Sequence, residues 1–296
     1  MTIAQALERA ALTLREAGVP APQMDAELLL RHVLRWDRAR VVAEGRSVLP
    51  KDAEPRFLAL VSERASRRPL QHLVGTQAFW KQDFLVNPDV LIPRPETELL
   101  VEEALRFLAG RDRPLIVDVG TGSGCIALSL AAERPDAELH AVDLSPSALA
   151  VAAANAERLG LRPRVVFHLG DLLGPLRALR GRVDLVASNP PYVNPADREG
   201  LAPEVRDHEP ALALFPPGEP YLAYRRLAPD AHALLRPGGG LILEVGQGMD
   251  VEVARIVEGA GFRVETIRED LQGIPRTVVA VRTYDGEAKA SGDSEE

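Results

Sequence analysis

Between residues 113 and 282, short apolar runs alternate with stretches that repeat apolar residues at helical spacing, and this alternation narrows the possible folds more than any other feature of the chain. Segments 115–119, 138–142, 164–169, 183–188, 240–245, 262–268 and 277–282 read as strands, and helical segments separate the first four. Strands buried on both faces and joined through helices form a mainly parallel sheet with helices on both sides, an α/β architecture. A loop without a helical pattern separates the last two strands, so the final strand is expected to be antiparallel and joined hairpin-fashion. Ligands bind such open sheets outside the C-terminal ends of the strands, so residues at those ends are the first candidates for chemistry.

The part before residue 72 has a different character. Leu7, Ala11 and Leu14, then Ala26, Leu29, Leu30 and Val33, then Phe57, Leu58, Val61 and Ala65 each mark one face of a helix. Gly18-Val19-Pro20 stops the first of these. Segments 74–80 and 83–86 are β-rich and suggest a hairpin, followed by a stiff stretch in which Pro93 and Pro95 flank Arg94. The expected organisation is a helical domain over 1–71 for substrate recognition, a β-hairpin linker over 72–95, the α/β domain over 96–283, and an acidic tail over 284–296 too polar to order.

Bulk properties limit the partners. Among 296 residues, no apolar run is long enough for a bilayer-spanning helix, and the first residues lack the basic-then-apolar order of a secretory signal. The lone Cys125 excludes an internal disulfide and fits a reducing compartment, so a cytoplasmic location is expected. The net charge of −8 argues against a duplex nucleic-acid partner. The histidines (His32, His72, His140, His168, His208 and His232) lack metal-ligand spacing, so no metal site is expected.

Two strand ends carry the chemistry. After the first strand comes Asp118-Val119-Gly120-Thr121-Gly122-Ser123-Gly124, a loop where glycine permits a tight turn and close approach of a ligand to the backbone. Asp143 ends the next strand, about twenty residues on, where a carboxylate can bind a ribose hydroxyl pair. This combination fits a nucleoside-containing cofactor. The G-x-G-x-G spacing departs from that of dinucleotide sites, and Asp118 suits a cationic ligand better than a pyrophosphate. S-adenosylmethionine, with its sulfonium and ammonium, meets both conditions. Asp171 and Leu172, after the third strand, are placed beside the adenine, although Leu172 reads equally well as core. After the fourth strand, Asn189-Pro190-Pro191-Tyr192 offers an amide acceptor, carbonyls freed by proline, and a flat ring. Such a group grips a planar NH2, whether of adenine or of a carboxamide.

With these segments in view, the chain resembles the peptide chain release factor glutamine N5-methyltransferase family. The resemblance rests on Leu91-Ile92-Pro93-Arg94-Pro95-Glu96-Thr97-Glu98, Asp118 to Gly124 with Ile126-Ala127, Ala141-Val142-Asp143-Leu144-Ser145, Asn189 to Tyr192, His208-Glu209-Pro210-Ala211-Leu212 and Glu244-Val245-Gly246, in family order over residues 1–282. It implies a Rossmann-like, seven-stranded class I methyltransferase sheet with a small helical N-terminal domain joined by a β-hairpin. It implies S-adenosylmethionine as cofactor, held by Gly120, Thr121, Gly122, Ser123, Gly124, Asp143, Asp171, Leu172 and Asn189. The implied substrate is the glutamine of the Gly-Gly-Gln loop of release factors, gripped by Asn189, Pro190, Pro191 and Tyr192, with Arg94 and Glu209 shaping the site. Asn189, Pro190 and Tyr192 are the expected catalytic group: Asn189 Oδ1 and the Pro190 carbonyl accept the amide protons while Tyr192 packs on the amide plane. The chain departs from the family at Leu172, where an aromatic is usual, and over 213–220, where Ala213 to Pro220 replace a glycine-rich loop. Methylation of a ribosomal-protein glutamine, adenine-N6 methylation of nucleic acid and a non-catalytic nucleotide-binding module are the alternatives. Arg94 is expected either to position substrate or to pair with Glu96 and Glu98, which sit where a helix's first turn favours carboxylates. Cys125 is expected to be a small packing residue.

Overall fold

In the computed structural model, residues 1–283 are described, so the expected tail over 284–296 lies outside them. The elements run α1 Ile3–Glu16, α2 Pro22–Leu34, α3 Arg38–Ala43, α4 Ala53–Ala65, α5 Leu70–Val74, β1 Thr76–Phe79, β2 Gln82–Leu85, α6 Thr97–Phe107, β3 Leu115–Val119, α7 Cys125–Glu133, β4 Glu138–Asp143, α8 Pro146–Arg158, β5 Val165–Leu169, β6 Val183–Ser188, α9 Pro203–His208, α10 Ala211–Leu214, α11 Leu222–Leu234, β7 Leu235–Glu244, α12 Asp250–Gly259, β8 Phe262–Glu269 and β9 Pro275–Arg282.

The chain forms two compact units. The first comprises Met1–Thr76 together with Gly200–His208; the second comprises Gln77–Glu199 and the chain from Glu209 onward. The return of residues 200–208 to the helical unit is absent from the sequence expectations. In the first unit, Ile3, Leu14, Leu29, Leu30 and Phe57 build the core, and the Thr2 hydroxyl and Gln5 side chain close a capping box on α1. Beside that core, buried Arg64 pairs with Asp25 at 2.7 Å and Glu204 at 2.9 Å, and Arg67 pairs with Glu204 at 2.6 Å. Glu204 ties the returning segment to this unit: its carboxylate accepts from the Arg64 and Arg67 guanidiniums, which hold it down at about 2.

The second unit contains a seven-stranded sheet in the order β5-β4-β3-β6-β7-β9-β8. The pairs from β5 through β7 are parallel, whereas β9 runs antiparallel between β7 and β8. Every residue of β3 and β6 is buried, as a central parallel strand requires. Ile116, Leu139, Leu185 and Ile242 face α6 and α7, while Val117, Val142, Val186 and Leu243 face α11 and α12. A separate hairpin of β1 and β2 inserts Phe79 and Phe84 into the first of these layers, their rings meeting edge-on at 6.0 Å.

Two expectations change. The connection between β5 and β6 holds a short 3-10 helix, Gly174–Leu179, and no α-helix. The strand expected at 240–245 begins at Leu235, directly after α11. Over this added stretch the β6–β7 register shifts between Val183 and Leu185, and Gly238 takes φ +72 there.

Candidate active site

The glycine loop forms because β3 ends in residues that only glycine tolerates. Gly120, Gly122 and Gly124 have φ of +72, +55 and +83, the left-handed region that costs other residues energy. The amides of Gly120 and Thr121 donate to the Val142 carbonyl, tying the turn to β4. Asp118 anchors the loop from below: its Oδ2 accepts from the Thr121 hydroxyl at 2.7 Å and the Ala127 amide at 3.2 Å. Its Oδ1 is buried without a partner, and burial pushes the carboxyl up to about 7. Gly124 also has a packing role. A Cβ there would stand 3.0 Å from Leu128 and 3.3 Å from Ala152, so this glycine lets α7 and α8 close together. Gly120 to Ser123 line the neighbouring cavity; Gly124 does not.

Asp143 closes the loop from the next strand end. Its carboxylate accepts from the Gly122 amide at 2.8 Å and the Ser145 amide at 2.9 Å. Burial nonetheless raises its pKa, with the bonds from Ser145 and Gly122 opposing the rise. Asp171 and Leu172 also line the cavity, and Leu172 takes the left-handed φ of +48. Leu172 packs against the core layer of α11 and also lines the cavity. Asp171 is paired with Arg226 of α11 at 2.5 Å, a lining residue that sequence reasoning missed.

The tetrapeptide after β6 meets the sheet's next strand. Ser188 pairs with Val119 on one side and Leu243 on the other, so Asn189 follows beside the glycine loop and opposite Glu244. Asn189 Nδ2 donates to Thr97 Oγ1 at 3.2 Å, Thr97 donates to Glu244 Oε2 at 2.5 Å, and the Tyr192 hydroxyl donates to Glu244 Oε1 at 3.3 Å. Glu244 is buried, and burial lifts its carboxyl to about 7. Thr97 and Glu244 belong to the segments that carry the family resemblance, but no local signal identified them as partners of Asn189.

A single cavity of about 310 Å³ brings the two halves together, a size suited to a small ligand. Asn189, Pro190, Pro191 and Arg94 line it with the glycine loop, Asp143 and Asp171. Tyr192 and Glu209 stand outside the lining. The Tyr192 ring rests against Gly246, where a Cβ would come within 2.9 Å of the ring and 2.8 Å of Met249 Sδ. Burial raises the Tyr192 hydroxyl above the usual tyrosine range, so it remains a donor. Glu209 pairs with Arg94 at 2.5 Å, so Arg94 finds its partner across the chain and not in Glu96 or Glu98. Glu98 instead accepts from the Trp80 amide at 2.6 Å. The Cys125 thiol is buried and pushed up to about 12, which disqualifies it as a nucleophile.

One further missed residue supports the loop from behind. Asn155 of α8 is wholly buried; its Oδ1 accepts from the Leu85 amide at 2.6 Å, while Nδ2 donates to the Leu85 and Ser123 carbonyls at 3.0 and 2.9 Å. Among the described residues there is no cluster able to hold a metal ion, and no helix is long and apolar enough to cross a membrane. The residues present fit a nucleoside cofactor bearing positive charge: a loop whose backbone is left bare at Gly120 and Gly122, an orphaned buried Asp118 oxygen at its root, and the Asp143 carboxylate at the next strand end.

The chain is similar to known proteins along most of its length. The model of the PrmC N-terminal domain matches residues 5–75, and that of the methyltransferase small domain matches residues 96–208. A release factor glutamine methyltransferase of Cereibacter sphaeroides is 45% identical over 280 residues, covering 95% of this chain and 98% of that protein. Another from Moorella thermoacetica is 43% identical over 283 residues, covering 95% and 99%. A solved methyltransferase structure from Pyrococcus furiosus, 17% identical, superposes with a TM-score of 0.50 over 70% of this chain and 92% of its own, a likeness of fold alone. Similarity at this level along nearly the whole of both chains places the chain in the release factor glutamine methyltransferase family.

Proposed function

We propose that this chain transfers a methyl group from S-adenosylmethionine to the side-chain amide nitrogen of the glutamine in the Gly-Gly-Gln motif of peptide chain release factors, in the cytoplasm, as a step supporting translation termination. The observation that carries the reading is the shared cavity, in which Asn189 stands between the glycine loop with Asp143 and the Arg94 segment. The relatives' names support the choice of a protein glutamine over a nucleic-acid base, as does the net charge of −8.

Gly120 to Ser123, Asp143, Asp171 and Leu172 hold the cofactor, which supplies an electrophilic methyl on a sulfonium. Asn189 Oδ1 and the Pro190 carbonyl hold the substrate. An amide nitrogen is a weak nucleophile because its lone pair is delocalised into the carbonyl. Two acceptors on its two protons fix its direction and stabilise the positive charge that develops on it as the new bond forms. The proton made acidic by that charge leaves to water after transfer, so no side chain need act as a strong base beforehand. Tyr192 acts from behind the cavity wall, holding Glu244, and Arg94 with Glu209 shapes the entrance.

The test is transfer of labelled methyl to a purified release factor, its Gln-to-Ala variant, ribosomal protein and DNA in parallel. Label is expected on the unaltered release factor alone; label on DNA with none on the release factor would reject the reading.

A further inference from the structure

A carboxamide has one end that accepts and one that donates, and Asn189 serves as an acceptor only if Oδ1 faces the cavity. What fixes its orientation lies behind it. We propose that the buried carboxylate of Glu244, acting through the Thr97 hydroxyl, decides which end of Asn189 faces the substrate and so couples methyl transfer to its own ionisation. Thr97 and Glu244 are thereby positioning residues, and the inference rests on the role given to Asn189 above.

The argument is a count of protons. The Thr97 hydroxyl has one, and Glu244 Oε2 lies 2.5 Å away. An ionised carboxylate can only accept, and such charge-assisted bonds are the strong ones, so the proton points to Glu244. Thr97 Oγ1 then has only lone pairs left for Asn189 at 3.2 Å, which obliges Asn189 to present Nδ2 and leaves Oδ1 for the substrate. When Glu244 is protonated the constraint reverses. The carboxylic proton can pass its bond to Thr97 Oγ1, freeing the Thr97 proton for Asn189 Oδ1. The carboxamide then turns its NH2 toward the substrate's NH2, and donor meets donor.

Glu244 is the group in this cluster that changes charge near neutrality. It is faced by Thr97 of α6 and the preceding Glu96, Tyr192, Arg276 of β9 and Cys125 of α7, while the Tyr224 hydroxyl of α11 donates to its backbone carbonyl at 2.9 Å. Both tyrosines are raised above their usual range and Cys125 to about 12, so all three stay protonated. Asp118 is also raised to about 7, but its bonds go to Thr121 in the glycine loop and Ala127 in α7. Saturation with cofactor separates its effect from that of Glu244.

The experiment uses the full chain, a release factor and saturating S-adenosylmethionine, with single-turnover rates from about pH 5.5 to about 8.5. The unaltered enzyme is expected to lose about tenfold in rate per pH unit below the Glu244 midpoint. Thr97→Val is expected to transfer about 10²-fold more slowly and without that slope, while Thr97→Ser recovers most of the rate together with the slope. Glu244→Gln, which cannot ionise, is expected to give a flat profile. Thermal unfolding and cofactor binding establish that each variant is folded. In parallel, the Asn189 side-chain NH2 resonances are followed by NMR; they should shift with pH at the same midpoint in the unaltered protein and stay fixed in Thr97→Val. The relay is overturned if folded Thr97→Val stays within about threefold of the unaltered rate and keeps its slope, or if the Asn189 signals do not titrate. An unaltered enzyme that methylates no release factor rejects the proposed function instead, and the NMR arm still decides the relay.

Discussion

Asn155 gives the sharpest test of how the glycine loop is held. Its side chain satisfies three backbone groups: the amide and carbonyl of Leu85 in the hairpin, and the carbonyl of Ser123 in the loop. Asn155→Ala leaves all three without a partner. An unsatisfied buried group costs about 1–3 kcal/mol, and Leu85 is half-buried, so water recovers part of its share; a loss of roughly 3 kcal/mol is expected. Asn155→Asp has nearly the same shape but a different outcome. It places a second oxygen where Nδ2 stood, against carbonyls at 3.0 and 2.9 Å. The folded protein must then keep that carboxyl protonated, which at pH 7 costs about 4 kcal/mol against an ordinary aspartate near 3.9. Because this raises the folded pKa, the lost stability returns as pH falls, by up to about 1.4 kcal/mol per pH unit. The assay is chemical denaturation of both variants from about pH 5 to about pH 8, following the methyltransferase unit, with cofactor affinity measured alongside. Cofactor affinity should fall in both, since Ser123 lines the cavity. Two results would refute the reasoning: an Asp variant as stable at pH 8 as at pH 5, or an Ala variant within about 0.5 kcal/mol of the unaltered protein.

Three further outcomes are expected. Asn189→Ala should slow single-turnover methyl transfer by roughly 10²–10³ through the loss of one preorganised acceptor, while the melting temperature changes little; an unchanged rate would refute the role. Gly246→Ala forces a methyl within 2.8 Å of Met249 Sδ and 2.9 Å of the Tyr192 ring. It should lower kcat more than cofactor affinity, and adding Met249→Ala should restore part of the loss. Glu244 and Asp118 are both raised to about 7, so the stability they contribute is complete below pH 4 and is lost as pH rises through 7. Thermal unfolding without cofactor should therefore show lower stability at pH 8 than at pH 6, opposite to the activity trend; equal stability across that range would contradict their burial as charged groups.

The site was legible in the sequence where a local rule carried it. Gly120 and Gly122 announce a backbone conformation, and Asp143 stands at a fixed distance from them along one β-α-β passage. Asn189 was found because its motif is contiguous. Tyr192 was attached to the substrate as a neighbour of Asn189; its contacts with Glu244 through the hydroxyl and with Gly246 through the ring had no local signal. Arg94 was read as positioning substrate or pairing with its neighbours Glu96 and Glu98; the partner it has in the structure, Glu209, lies 115 residues away. Asn155 gave no signal at all, since an asparagine in a helix looks like a solvent-facing residue until the chain that covers it is known.

The sequence by itself determined the α/β layering, the antiparallel last strand, the glycine loop with its carboxylate and the family, because periodicity and contiguous motifs are properties of short stretches. Only the tertiary structure decided how Asn189 is aimed. Thr97 and Asn189 are 92 residues apart, and Thr97 and Glu244 are 147 apart. They meet because the β3–β6–β7 register sets Ser188 level with Val119 and Leu243, and α6 packs over that end of the sheet. A buried polar group takes whichever partner the register brings within reach, and no local pattern records that choice.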